Sequence, residues 1–250
     1  MVKVAMMQPT FLPWQGFFEL ILKSDKFIFL DDFQLSVQSH QTRNKLFVGK
    51  NQVGYYLVPI QKSISYEQAL NKTLVVADVQ WKNKMLRTLE YNYSKTLYFD
   101  EIFEKINPII KSDISILSQL NMEIIKILCD ILQIKSTFLL SSEFSKDTNF
   151  QSSRIKKVEE LLDWSSADEY LCANGAFDYM KEDGYNYKKY PVIFQNYVPK
   201  IYEQKHSQEF IPYLSVLDAL FNVGPEATFR VIESGTQHWL SWEERDVLLM

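Results

Sequence analysis

The sequence predicts an α/β fold, a mostly parallel sheet flanked by helices, with a helical middle segment and a helical C-terminal part. Three observations point there. Short apolar runs alternate with stretches of helical period along the chain. The first thirty residues read strand, helix, strand, which is a βαβ unit and implies a parallel pair. Aromatic residues are abundant (17 Phe, 14 Tyr, 5 Trp), so the chain can bury a large core.

Residues 2–7 form an apolar run that ends at Pro9, as a buried strand would. Pro9 and Pro13 keep the following residues extended or turned. Gly16 then opens a helix over 17–24, with Phe18, Ile21 and Leu22 on one face. A second strand over 26–30 is closed by Asp31 and Asp32. Residues 33–54 read as a polar loop, 55–60 as a strand, and 73–76 as a further short strand. From Val79 the period turns helical, with Trp81, Met85, Leu89 and Tyr93 recurring every four residues. The clearest helix covers 113–133, where Leu117, Leu120, Ile124, Ile127, Leu128 and Ile131 make one stripe and Ser112 is the expected N-cap. Further strands are expected over 137–140 and 169–172, and weaker ones over 192–194 and 200–202. A helix over 153–162 lies between the first two of these. Ser215 with Asp218 resembles a capping box, and Gly224-Pro225 stops that last helix. No internal repeat occurs. One domain over 1–250 is expected: an α/β core from 1–60 and 134–205, a helical part over 78–133 and a helical C-terminal part over 206–250.

Bulk properties exclude several classes. The net charge of −4 argues against a dedicated nucleic-acid binder. Seven glycines, scattered singly, cannot form a glycine-rich phosphate loop. Cys129 and Cys172 make neither a disulfide framework nor a zinc site, no bound metal is expected, and a reduced compartment fits. No signal peptide or membrane span is visible, so the expected location is cytoplasmic.

Open α/β sheets bind ligands beyond the carboxyl ends of their strands. Gln8 stands where the first strand ends, and either caps the turn or faces the site. Trp14 either stacks on a flat ligand or seals the core. Asp31 and Asp32 suit a base, a metal ligand or a ribose acceptor, or else cap a turn; on an extended chain only one of them faces the site. Gln34 follows. His40 titrates near neutrality and can act as a general base, while Arg43 and Lys45, around Asn44, suit a phosphate or carboxylate. Ser153 and Arg154 open a helix and make either an anion site or an ordinary cap. Asn174, Asp178 and Tyr179 follow the strand near 170, where Cys172 is either a nucleophile or a buried thiol.

These stretches also carry a resemblance. QPTFLPWQGFFELILKSDKFIFLDDFQ (8–34), SHQTRNKL (39–46), SSRIKKVEELLDWSSADEYLCANGAFDYM (152–180) and FIPYLSVLDALFNVGPEA (210–227) resemble, in order, the signature blocks of the WbqC-like family. His40, Cys172 and Ala173 depart from the pattern, which more often has an aromatic, a Ser and a Gly there. The resemblance implies a role in making bacterial surface polysaccharide of the O-antigen type. Its most concrete form is N-acylation or aminoacylation of a nucleotide-linked amino sugar. The acyl donor implied is a thioester of coenzyme A or of an acyl carrier protein. Alternatives are a non-catalytic nucleotide-sugar binder or scaffold, and a degenerate nucleotidylyltransferase. For the last, Trp14-Gln15-Gly16-Phe17 stands where such enzymes carry His-x-Gly-His, and both histidines are missing.

Overall fold

The structure is a computed structural model and describes residues 1–36, 39–61, 68–144 and 154–248. Its centre is a six-stranded sheet of order β5-β2-β1-β6-β7-β8. The strands are β1 (Lys3–Met7), β2 (Lys26–Phe29), β5 (Thr137–Leu140), β6 (Glu169–Ala173), β7 (Val192–Gln195) and β8 (Leu240–Ser241). All neighbours pair parallel except β7 and β8. The fold is thus the expected α/β class with a mostly parallel sheet.

The strands read as continuous apolar runs because both of their faces are covered. Val4 and Met6 of β1, with Ile28 and Leu30 at β2, enter one core cluster, while Ala5, Phe27 and Phe29 enter the other. On the larger cluster's face lie α1 (Gln15–Lys23), α4 (Leu117–Leu132) and α8 (Val216–Glu233). On the other lie α6 (Arg154–Ser165), α7 (Phe177–Glu182) and α9 (Trp242–Val247). The chain leaves β1 for β2 on one side and later returns to β6 on the other. The strand order therefore reverses between β1 and β6, where such sheets open a crevice.

Five expectations are corrected. The stretch read as a polar loop contains an antiparallel hairpin, β3 (Arg43–Gly49) with β4 (Gln52–Leu57). Its polar residues hid the strand period, but Leu46 and Phe47 are buried and Asn51 supplies the left-handed turn residue (φ 55°). Residues 73–76 make only isolated bridges, Ile60 with Val75 and Leu74 with Ile116, and residues 200–202 form no strand. Ser112 caps no N-terminus. It closes α3 (Phe99–Lys111), a helix that follows α2 (Val79–Tyr93), and its hydroxyl donates to the Ile109 carbonyl at 2.7 Å. Gly224 kinks α8 instead of ending it: its φ of 79° is open to glycine, and the Tyr98 ring fills the space of a Cβ.

Candidate functional site

The loop that leaves β1 is held by two buried asparagines. Asn44 Nδ2 donates to the carbonyls of Phe11 (3.3 Å) and Leu12 (2.8 Å). Asn121, on α4, donates to the carbonyls of Pro9 (2.9 Å) and Gln41 (2.8 Å). This locks Leu12, a buried leucine, in a left-handed backbone conformation (φ 45°). Asn44 is therefore a positioning residue: its amide is consumed inside the protein.

The same bonds bring the residues after β1 against those before β3. The Phe11 amide donates to the His40 carbonyl at 2.8 Å. Gln41 Nε2 donates to Gln8 Oε1, and Gln8 Nε2 donates to the Gln34 carbonyl at 2.9 Å. His40 is exposed, with Arg43 and Lys45 close enough to act on its charge. Partial burial first, and then these two cations, hold the imidazole below its usual pKa, so it is neutral at pH 7. Arg43 lies over the Tyr55 ring at 4.4 Å and Lys45 at 5.6 Å.

From Lys45 the surface continues to Trp14. The Lys45 carbonyl accepts from the Ser215 amide at 2.9 Å, and Ser215 bridges to Trp14. The Trp14 ring lies on Gly16 and is braced by Tyr197 and Tyr213, with centroids at 5.0 and 5.4 Å. Trp14 is thus half consumed by packing, whereas Tyr213 is 55% exposed. Gln8, His40, Arg43, Lys45 and Tyr55 thus form a ledge, and Trp14 with Tyr213 is tied to it through the backbone of buried Ser215.

The acidic pair lies beside this ledge, turned inward. Asp31 and Asp32 sit in a turn, not an extended strand, so both carboxylates face the same way, contrary to the alternation expected. The Ser141 hydroxyl lies between them, at the start of the single helical turn α5 (Ser141–Phe144). Asp31 also accepts from the Ser142 amide (3.0 Å) and hydroxyl (2.7 Å). Asp32, fully buried, pairs with Lys157 at 2.6 Å.

The remaining predicted residues lie on the opposite face of the sheet. Arg154 pairs with Asp183 at 3.5 Å and covers the Tyr179 ring at 5.0 Å. Asn174 accepts from Arg245, and Asp178 is exposed in the first turn of α7. Ser153 lies outside the described residues. Cys172 is buried against Met180, and burial pushes its thiol up to about 12, so of the two readings the buried thiol holds.

Two buried acids were not among the candidate site residues. Glu19 on α1 accepts from Thr236 (amide 2.7 Å, hydroxyl 2.5 Å) and Gln195 (2.6 Å). Gln195 also donates to the Gly16 carbonyl at 2.9 Å, which ties α1 to β7 under Trp14. Asp218, expected to cap α8, accepts instead from Tyr93 (2.8 Å), Tyr202 (2.9 Å) and Gln204 (2.9 Å). Ser215 alone caps that helix, accepting from the Leu217 amide at 3.3 Å. Burial raises the pKa of both acids, against the pull of the donors around them.

Among the described residues no group of three or more His, Cys, Asp or Glu is arranged to hold a metal ion, and no helix is long and apolar enough to cross a membrane. The family model for the WbqC-like proteins matches residues 8–229. An uncharacterized protein of Mycobacterium tuberculosis is 31% identical over 229 residues, which cover 91% of this chain and 96% of that protein. No solved structure matches the chain. The ledge, the acidic turn and the kink of α8 at Gly224 all fall within the matched residues, and the chain belongs to the WbqC-like protein family.

Proposed function

We propose that the chain is a transferase of surface-polysaccharide synthesis that N-acylates or aminoacylates a nucleotide-linked amino sugar on the ledge. The observation that carries this reading is the His40 imidazole beside two cations that lean on the exposed Tyr55 ring. Arg43 and Lys45 hold the pyrophosphate, where charge-assisted bonds suit them. Tyr213, the exposed ring of the aromatic group, stacks on the base or the sugar face. The amine of the sugar attacks the thioester carbonyl carbon, so an N–C bond forms and the C–S bond breaks. His40 takes the amine proton and returns it to the departing thiolate. Asp31 and Asp32 take no part in this step, because Ser141, Ser142 and Lys157 already occupy their oxygens.

The nucleotidylyltransferase reading has less support. Phe17 is buried in the core and Trp14 lies on Gly16, so neither residue can replace a phosphate-binding histidine.

The test is transfer from acyl-coenzyme A to a panel of nucleotide-linked amino sugars. His40→Ala should lower turnover by about a hundredfold and leave sugar binding nearly unchanged. Equal turnover in the variant and the parent would remove His40 from the chemistry. Binding without turnover in the parent would favour a non-catalytic nucleotide-sugar binder.

A further inference from the structure

A second feature lies away from the ledge. Between α2 and the far end of the hairpin runs a trough of about 770 Å³, lined by Val48, Trp81, Lys84, Arg87 and Tyr91 together with neutral polar side chains. Among the described residues no carboxylate lines it. Lys84, Arg87 and Tyr91 share one stripe of α2, at spacings of three and four residues.

We propose that this trough docks an acidic carrier protein that delivers the acyl thioester to the ledge; the inference rests on the acyl-transfer reading above. Charge complementarity identifies the occupant. Several helical surface cations elsewhere are paired, as in Lys105–Glu101, Lys126–Glu123 and Arg230–Glu226. Among the described residues Lys84 and Arg87 have no such acid, although the whole chain carries an excess of acids. A cationic stripe left open on an acidic protein selects an acidic partner and speeds its encounter. Tyr91 is 84% exposed beside Arg87, and Tyr and Arg are the side chains that most often carry interface energy. The trough is open along its length, which suits a protein segment better than an enclosed small molecule. The hairpin links the two places. β3 runs from Val48 in the trough to Lys45 on the ledge, a distance of about 10 Å for three strand residues. A prosthetic arm from a carrier seated on α2 would follow that strand toward Lys45 and His40.

The experiment is calorimetric titration of the full chain with a phosphopantetheinylated, acylated acyl carrier protein. The parent protein should bind it, and the affinity should fall with added salt. The double variant Lys84→Glu/Arg87→Glu should bind roughly tenfold more weakly, with an unchanged melting temperature because both side chains are exposed. Tyr91→Ala should weaken binding severalfold. Equal binding by the parent and the double variant would overturn the inference, as would no binding by the parent. So would a matching loss of affinity for free coenzyme A, since the trough would then be a small-anion site. Turnover with acyl-coenzyme A separates this inference from the reading it rests on. If the double variant keeps that turnover and loses only carrier binding, both stand. If carrier binding depends on the trough and the parent acylates no nucleotide-linked sugar, the docking stands and the sugar reading fails.

Discussion

The ledge and the Asp218 knot are polar clusters of similar make-up, and they spend their polar groups in opposite ways. Around Asp218 both carboxylate oxygens have donors, from Tyr93 on one side and from Tyr202 and Gln204 on the other. Tyr93 in turn accepts from the Phe47 amide at 3.1 Å, so the knot ties α2, α8 and the hairpin together. On the ledge Arg43 and Lys45 lean on Tyr55 and, among the described residues, pair with no carboxylate, and the His40 ring is exposed beside them. Satisfied buried polar groups specify a unique packing. Unsatisfied exposed ones keep their bonding capacity for a ligand. The hairpin joins the two: its inner side carries the knot and its outer side carries the cations.

The strongest way to break this contrast is to remove the acid from the knot. Asp218→Ala removes the acceptor shared by Tyr93, Tyr202 and Gln204 and should cost about 3 kcal/mol of stability, read as a fall in urea midpoint. A loss below about 0.5 kcal/mol would mean that the knot does not hold the fold. The parent should also lose stability as pH rises above the ordinary carboxylate range. The folded-state pKa values of Asp218 and Glu19 are raised, so the folded protein holds those protons longer than the unfolded chain does.

A smaller effect is expected at the junction of core and ledge. Gly16→Ala places a methyl 2.3 Å from the Trp14 ring, so the indole must move. The substitution should cost about 1–3 kcal/mol and shift tryptophan emission to the red as the ring loses cover. Unchanged emission would show that Trp14 does not rest on Gly16 in solution.

The mildest test sharpens the ledge itself. Lys45→Ala and Arg43→Ala should each raise the His40 pKa, measured by NMR titration of the imidazole, because each removes a like charge from beside it. In the parent the base is ready at pH 7 and activity should fall only as pH drops below His40's depressed pKa. The variants should move that acid limb upward. A His40 pKa that stays put in both would separate the cations from the imidazole.

Much of the fold was legible in the sequence because parallel strands buried on both faces declare themselves as short apolar runs. The segments around Val4, Phe27, Phe138, Leu171 and Phe194 all lie in strands of the central sheet. The hairpin was not legible, since Arg43, Asn44 and Lys45 give its start the composition of a loop. Of the candidate residues, Gln8, Trp14, Gln34, His40, Arg43 and Lys45 meet on one face, whereas Arg154, Asn174, Asp178 and Tyr179 lie on the other. Tyr213 was missed, although it stands inside one of the blocks that carry the family resemblance.

By itself the sequence determined the alternation of strands and helices, the parallel sheet and the family, because periodicity and signature blocks are properties of neighbouring residues. Tertiary structure alone decided which polar residues are spent and which are open. Asp218 finds Tyr93 from 125 positions away, and Glu19 finds Thr236 from 217. An acid buried among such donors and a cation left on a ledge look alike in a local window of sequence. Burial and long-range hydrogen bonding separate them, and those exist only once the chain has folded.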